Sequence, residues 1–209
     1  MQLFNYYQYT FSYDFQHAND EVFCAFTVPY SYSNLQTHLK QLKLLSVFDP
    51  KETLKIESLG RSLGGLDIPL LKISNWGVQP ETPKPVILIV GRQHSGETHS
   101  SFAIHSLTNL LLTNDPLSHA FRQEYECWIV PMINPDGVVC GNYRCTLQGR
   151  DMNRLFLSDE DTGSRVYEVE LLRTLQKSVA DRCKLFLDVH ADGSRLNAYT
   201  LAPEFDDAI

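Results

Sequence analysis

The chain has 209 residues, which is room for one full domain or one and a half. Its hydrophobic content of 43% suits a globular core, and its net charge of −7 argues against nucleic acid as the main partner. No apolar run approaches a membrane span, Met1 to Tyr7 lacks the basic start and apolar stretch of a signal sequence, and the five scattered cysteines (Cys24, Cys127, Cys140, Cys145, Cys183) fit a reduced, cytoplasmic setting better than a disulfide scaffold.

Residues 4–30 alternate aromatic and polar side chains through Tyr7, Tyr9, Phe11, Tyr13 and Phe15, then turn at His17 to Asp20. This pattern predicts a β-hairpin whose stripe packs in a sheet core. Ser33 with Gln36 reads as a capping box, and Leu35, Leu39, Leu42 and Leu45 mark one face of the helix that follows. Residues 54–59 and 66–73 read as strands joined around Gly64 and Gly65, and the proline-rich stretch 79–85 as a stiff loop. A strand over 86–90 follows, then a helix over about 98–112 with Glu97 at its amino end, and a strand over 126–133. Asn134-Pro135-Asp136-Gly137 has the chemistry of a tight turn. A helix over about 164–179, with an acidic start at Asp159 to Asp161 and Leu171, Leu175 and Val179 on its buried face, leads into the strand Cys183–Val189. Strands alternating with helices predict an α/β fold: a mostly parallel or mixed sheet with helices on both faces.

Two of these strands end in metal-ligand chemistry. His94-Ser95-Gly96-Glu97 lies just past the apolar run 86–90, and His190 ends the run 185–189. Two imidazoles and a carboxylate form a ligand set that zinc favours in catalysis, with a fourth position left for water. If both strands are parallel, the ligands leave the same carboxyl edge of the sheet, where open α/β folds place their sites. The tetrapeptide alone is a weak signal, and a histidine at a strand end is more often merely hydrogen-bonded. Cys140 and Cys145 lack a partner pair and read as structural thiols. The segment between the histidines strengthens the case, because Arg144, Arg150, Asp151, Asn153 and Arg154 fall within a short, glycine-flanked stretch. Arg150 reads as a surface charge; together the three arginines make a basic focus in an acidic chain.

The blocks 91–98, 130–154 and 187–190, in this order, resemble the zinc carboxypeptidases of the carboxypeptidase A-like superfamily, and within it the cytosolic carboxypeptidase branch. Residues 19–32 resemble the end of the small β domain that precedes the catalytic domain in that branch. The resemblance implies one zinc ion held by His94, Glu97 and His190. It implies that Arg144 polarises the scissile carbonyl and holds the oxyanion, that Asn153 and Arg154 clamp the substrate's terminal carboxylate, and that Asp151 orients the first zinc histidine. Zinc-activated water would then remove C-terminal residues, often glutamate, from proteins or peptides, glutamylated tubulin among the candidates. After His190 this chain has Ala191-Asp192-Gly193-Ser194 where the branch often carries a Gly-His or Ser-His pair, a departure that bears on substrate preference.

The resemblance also divides the chain: a remnant of the N-terminal β domain over 1–33, a linker helix over 34–50, and a zinc carboxypeptidase domain, incomplete at its C-terminus, over 51–209. The family's general-base glutamate and its substrate-reading residue lie further downstream of the third ligand than the 19 residues that follow His190. The sequence therefore reads as a fragment of a larger enzyme, expected to be nearly inactive alone, poorly soluble, and to expose an apolar sheet edge. Two other readings stay open: a non-catalytic module that holds zinc and a C-terminal carboxylate, and a related zinc amidohydrolase sharing the His-x-x-Glu pair.

Overall fold

The apolar runs of the sequence assemble as one mixed sheet in a computed structural model that describes residues 8, 10–47, 53–77, 82–156, 165–192 and 197–201. Its five strands are β1 (Leu54–Arg61), β2 (Asp67–Ile73), β3 (Val86–Gly91), β4 (Glu126–Val130) and β5 (Cys183–Val189), in the order β1-β2-β4-β3-β5. β3 runs parallel to both of its neighbours, β4 and β5, while β2 is antiparallel to β1 and β4. β3 is almost wholly buried, which is why it reads as an unbroken apolar run rather than an alternating one.

The sheet has an apolar core on each face. On one, Val86, Leu88 and Val90 of β3 pack with Trp128, Val130 and Met152 and with Val169, Leu172, Leu175 and Val179 of α5 (Tyr167–Val179). On the other, Ile89 packs with Leu71, Ile73 and Ile129, with Leu35, Leu39 and Leu42 of α1 (Tyr32–Val47), and with Ile104 and Leu111 of α2 (Thr98–Leu111). Fully burying such a side chain contributes about 1.5–3 kcal/mol, so these two layers, not local propensity, hold the helices in place. From β3 the chain crosses to β4 on one side, and from β4 through α5 to β5 on the other. The segments that leave β3 and β4 therefore lead to helices on opposite faces, α2 and α5, which places a topological switch point of an open α/β sheet beyond the carboxyl ends of these strands.

Several local expectations are corrected. The described part of 8–31 contains no strand, although the turn is present with Asn19 at φ 61°; residues 1–7 and 9 lie outside the described residues. Phe11, Tyr13 and Phe15 are exposed, so the stripe has no core to enter, and a two-stranded ribbon without a third strand or covering helix is marginal. The cap of α1 is Ser31 with Asn34, not Ser33 with Gln36: the Ser31 N–H donates to Asn34 Oδ1 (2.8 Å) and the Asn34 N–H to Ser31 Oγ (3.2 Å). Leu45 is exposed, outside the buried face of α1.

A helix the patterning did not suggest, α3 (Pro116–Glu124), precedes β4, with Asp115 capping it and proline in its first turn. β4 stops at Val130, three residues short of the expected end, because Pro131 cannot continue the ladder. Asn134 to Gly137 open a short helix, α4 (Pro135–Val139), instead of a tight turn. The buried face of α5 runs through Val169 and Leu172, with Leu171 only partly buried, and of its expected acidic start Asp159 to Asp161 lies outside the described residues. β5 is an edge of the sheet among the described residues, and Leu185, Phe186 and Leu187 are each more than a third exposed, matching the anticipated apolar edge.

Candidate metal centre

Past β3 the chain turns so tightly that side chains at two positions are excluded. A Cβ on Gly91 would fall 2.5 Å from Ile104 Cδ1, and one on Gly96 would fall 2.7 Å from the Tyr143 carbonyl oxygen. Gly91 thus lets α2 pack close to the end of β3. Gly96 lets its N–H donate to that same carbonyl at 2.6 Å, joining the ligand turn to the segment that carries Arg144. Glu97 is the residue on which α2 begins. One local turn therefore delivers both His94 and Glu97, at 3% and 6% exposure. β5 brings His190 to the same place, its side chain 25% exposed.

These three converge. His94 Nδ1 lies 2.7 Å from Glu97 Oε1, and His190 Nδ1 lies 2.9 Å from Glu97 Oε2 and 3.2 Å from His94 Nδ1. One ligand atom from each residue falls within 4.8 Å of the others. Each ring also has a carboxylate behind it: His94 Nε2 meets Asp151 Oδ1 at 3.0 Å, and His190 Nε2 meets Asp188 Oδ2 at 2.7 Å. Each imidazole thus has a carboxylate at both nitrogens, and a cation that displaces the Nδ1 proton would leave Nε2–H held from behind, the tautomer of a metal ligand.

Two inward lone pairs at 3.2 Å repel unless a cation or a proton sits between them. The ionisation of the cluster shows the same demand for positive charge. Burial disfavours a charged His190, but its bonds to Asp188 and Glu97 outweigh burial and push it up to about 9. Burial raises Glu97, but bonds from His190, His94 and the Ala191 N–H hold it well below the usual carboxylate range. Zinc fits this donor set: two ligand atoms ~2.05 Å from a tetrahedral ion lie ~3.3 Å apart, close to the observed separation of the two nitrogens.

The other expected residues lie around this cluster in two different states. Arg144 Nε donates to Asp151 Oδ2 at 2.6 Å, and the arginine side chain is 40% exposed. Burial raises the Asp151 carboxyl, and bonds with Arg144 and His94 more than compensate, leaving it lowered. Asp151 also caps a single 3-10 turn, Met152–Arg154, by accepting the Asn153 N–H at 3.0 Å. That turn brings Asn153 Nδ2 to 3.5 Å from His190 Nε2. Arg154 is exposed and donates to the Asn153 carbonyl at 3.1 Å, so its guanidinium is not drawn into the cluster.

Sequence reasoning missed Asp188 and Gln93. Gln93 Nε2 donates to Asp188 Oδ2 at 2.6 Å, holding the carboxylate that holds His190. The signal was present: Asp188 and His190 are two apart at a strand end and so share a face.

Fold and site together define an α/β protein with a His-Glu-His cluster that could hold a metal ion at the carboxyl edge of parallel strands. Residues 47–201 match the family described as "Peptidase_M14: Zinc carboxypeptidase", and the chain belongs to this family. Among its relatives, cytosolic carboxypeptidase 1 of Danio rerio is 32% identical over 93% of this chain and 17% of its own length. Cytosolic carboxypeptidase 2 of Xenopus tropicalis is 37% identical over 73% of this chain and 16% of its own. The chain thus spans less than a fifth of these curated relatives. A solved metallo-carboxypeptidase from Burkholderia cenocepacia superimposes with a TM-score of 0.66 at 28% identity, over 78% of this chain and 42% of that one.

Proposed function

We propose that this chain carries the metal-binding part of a zinc metallocarboxypeptidase that removes C-terminal amino acids, glutamate foremost, from proteins or peptides in the cytoplasm. The observation that carries this reading is the convergence of His94, Glu97 and His190, with Asp151 and Asp188 behind the two imidazoles. One zinc ion held there would polarise the scissile carbonyl and acidify water.

The chain's own residues supply binding and orientation. In this reading Arg144, which Asp151 holds, donates to the developing oxyanion, a type of contact worth ~3–4 kcal/mol of barrier. Asn153 and Arg154 hold the terminal carboxylate, Arg154 as a planar fork that lysine would not replace. A demand for a free carboxylate restricts cleavage to the last residue. The basic focus of Arg144, Arg150 and Arg154 favours an acidic end, and glutamylated tubulin is one such substrate in the proposal. Glu97, Asp151 and Asp188 each bond a histidine, so none of the three is the general base in this reading.

The test is a zinc titration of the chain beside a release assay on peptides ending in glutamate or leucine, repeated on a longer polypeptide extending past Ile209. One ion per chain, with glutamate released faster by the longer form, is the expected result. Zinc binding that survives intact in His94→Ala contradicts the ligand assignment. Equal release of leucine contradicts the glutamate preference alone.

A further inference from the structure

Arg92 is 2% exposed and adopts φ 59°, the left-handed region that L-residues other than asparagine and aspartate seldom enter. It lies between β3 and His94, and its side chain turns inward. Nε and Nη2 both donate to the Ser95 carbonyl oxygen, at 3.1 and 2.5 Å. Nη1 donates to the Tyr30 carbonyl oxygen and to Ser101 Oγ, both at 2.9 Å. Its main-chain N–H donates to Ser100 Oγ at 3.1 Å, and that hydroxyl donates to the Glu97 carbonyl at 3.0 Å.

These contacts share a geometry. The Ser95 carbonyl lies between the two local ligands, so the fork fixes the turn from which both His94 and Glu97 project. Ser100 and Ser101 belong to the first turn of α2, which begins on Glu97. Tyr30 is two residues before α1, and its hydroxyl meets His105 Nδ1 of α2 at 3.1 Å. One guanidinium thus triangulates the ligand turn, the start of α2 and the segment that enters α1. Its hydrogen-bond acceptors are all neutral, an expensive arrangement for a buried charge that a purely space-filling side chain would not require.

We propose that Arg92 is the positioning residue of the metal centre: it presets the His94–Glu97 turn for the ion and makes the segment entering α1 part of that centre. The inference rests on the reading that His94, Glu97 and His190 hold zinc. Lysine keeps the charge but gathers its three donors on one nitrogen, without the planar spread by which the guanidinium reaches the Ser95, Tyr30 and Ser101 acceptors from separate nitrogens. Arg92→Lys therefore separates charge from geometry.

The experiment measures zinc affinity by competition with a chromophoric chelator, the visible spectrum of the cobalt-substituted chain, and thermal unfolding without metal. Residues behind a ligand typically change metal affinity about 10–100-fold, and that loss is expected for Arg92→Lys, together with an altered cobalt spectrum in protein that still unfolds cooperatively. A folded Arg92→Lys chain with native zinc affinity and native cobalt spectrum overturns the proposal, since a merely structural arginine would change only the melting temperature. If Arg92→Lys does not fold, Ser101→Ala decides, because it removes one Nη1 acceptor and leaves the guanidinium in place. Affinity roughly two- to fivefold weaker supports the proposal, as one of several supporting contacts is lost, and unchanged affinity overturns it. A native chain that binds no zinc overturns the ligand assignment itself, an outcome distinct from either variant's result.

Discussion

Among the described residues two pairs of histidines lie ring to ring, and they have opposite electrostatics. His94 and His190 meet at the end of the sheet, their rings 4.7 Å apart and tilted by 52°, each with a carboxylate at its back. His38 of α1 and His105 of α2 stack between the helices, centroids 3.5 Å apart and nearly parallel at 19°. Among the described residues neither nitrogen of His38 has a hydrogen-bond partner, although the residue is 3% exposed. Burial, with some repulsion from His105, pushes His38 down to about 4, whereas Asp188 and Glu97 lift His190 to about 9 against burial. Burial alone does not make a histidine a ligand. Carboxylates around the rings suit a pair to that role, by supplying the negative field that a cation answers.

The sharpest break of this comparison is a pair of substitutions. His94→Ala should abolish stoichiometric zinc binding, and His38→Ala should leave it within about twofold, both read by chelator competition, because His38 lies outside the ligand cluster.

The second test is acid. The unfolded chain protonates His38 near pH 6.5 but the folded chain only near 4. The stability this residue contributes is therefore complete above pH 6.5 and is lost as pH falls toward 4. The loss amounts to about 3 kcal/mol at one pKa unit per 1.36 kcal/mol. Urea unfolding of the native chain at pH 7 and pH 4, set against His38→Leu, checks it. A native chain no more acid-sensitive than the leucine variant would refute the account of the stacked pair.

A smaller effect sharpens the other side. Asp188→Asn should weaken zinc binding about 10–100-fold, and Asp151→Asn should do the same within that range, since each removes a charge behind one ligating imidazole. Smallest of all is Arg154→Ala. This exposed side chain should change unfolding free energy by no more than about 0.5 kcal/mol, while raising the substrate concentration needed for cleavage by the longer polypeptide.

What the sequence showed and hid follows from how local each feature is. β3 and β5 were legible as apolar runs, although β5 is half open to solvent, and His94 with Glu97 was legible because one turn carries both. Asp188 was legible in principle from its spacing to His190, whereas Gln93 was not, since nothing local says that its amide reaches across to β5. The predicted hairpin failed because alternation records only which side chains could face a core, and the described part of 8–31 meets no sheet. Asn134 to Gly137 was misread because a turn and a helix cap start with the same bond, here Gly137 N–H to Asn134 Oδ1 at 3.0 Å, and only the packing that follows separates them. The cap of α1 was placed two residues late because Asn34 occupies the position where glutamate or glutamine gives the usual signature.

X-ray absorption on the zinc-loaded chain tests the central claim most directly. The ligand assignment predicts one ion with nitrogen and oxygen neighbours at ~2.0–2.2 Å, two of them imidazole, and one imidazole fewer in His190→Ala. Sulfur neighbours at ~2.3 Å, or a spectrum unchanged by His190→Ala, would contradict it.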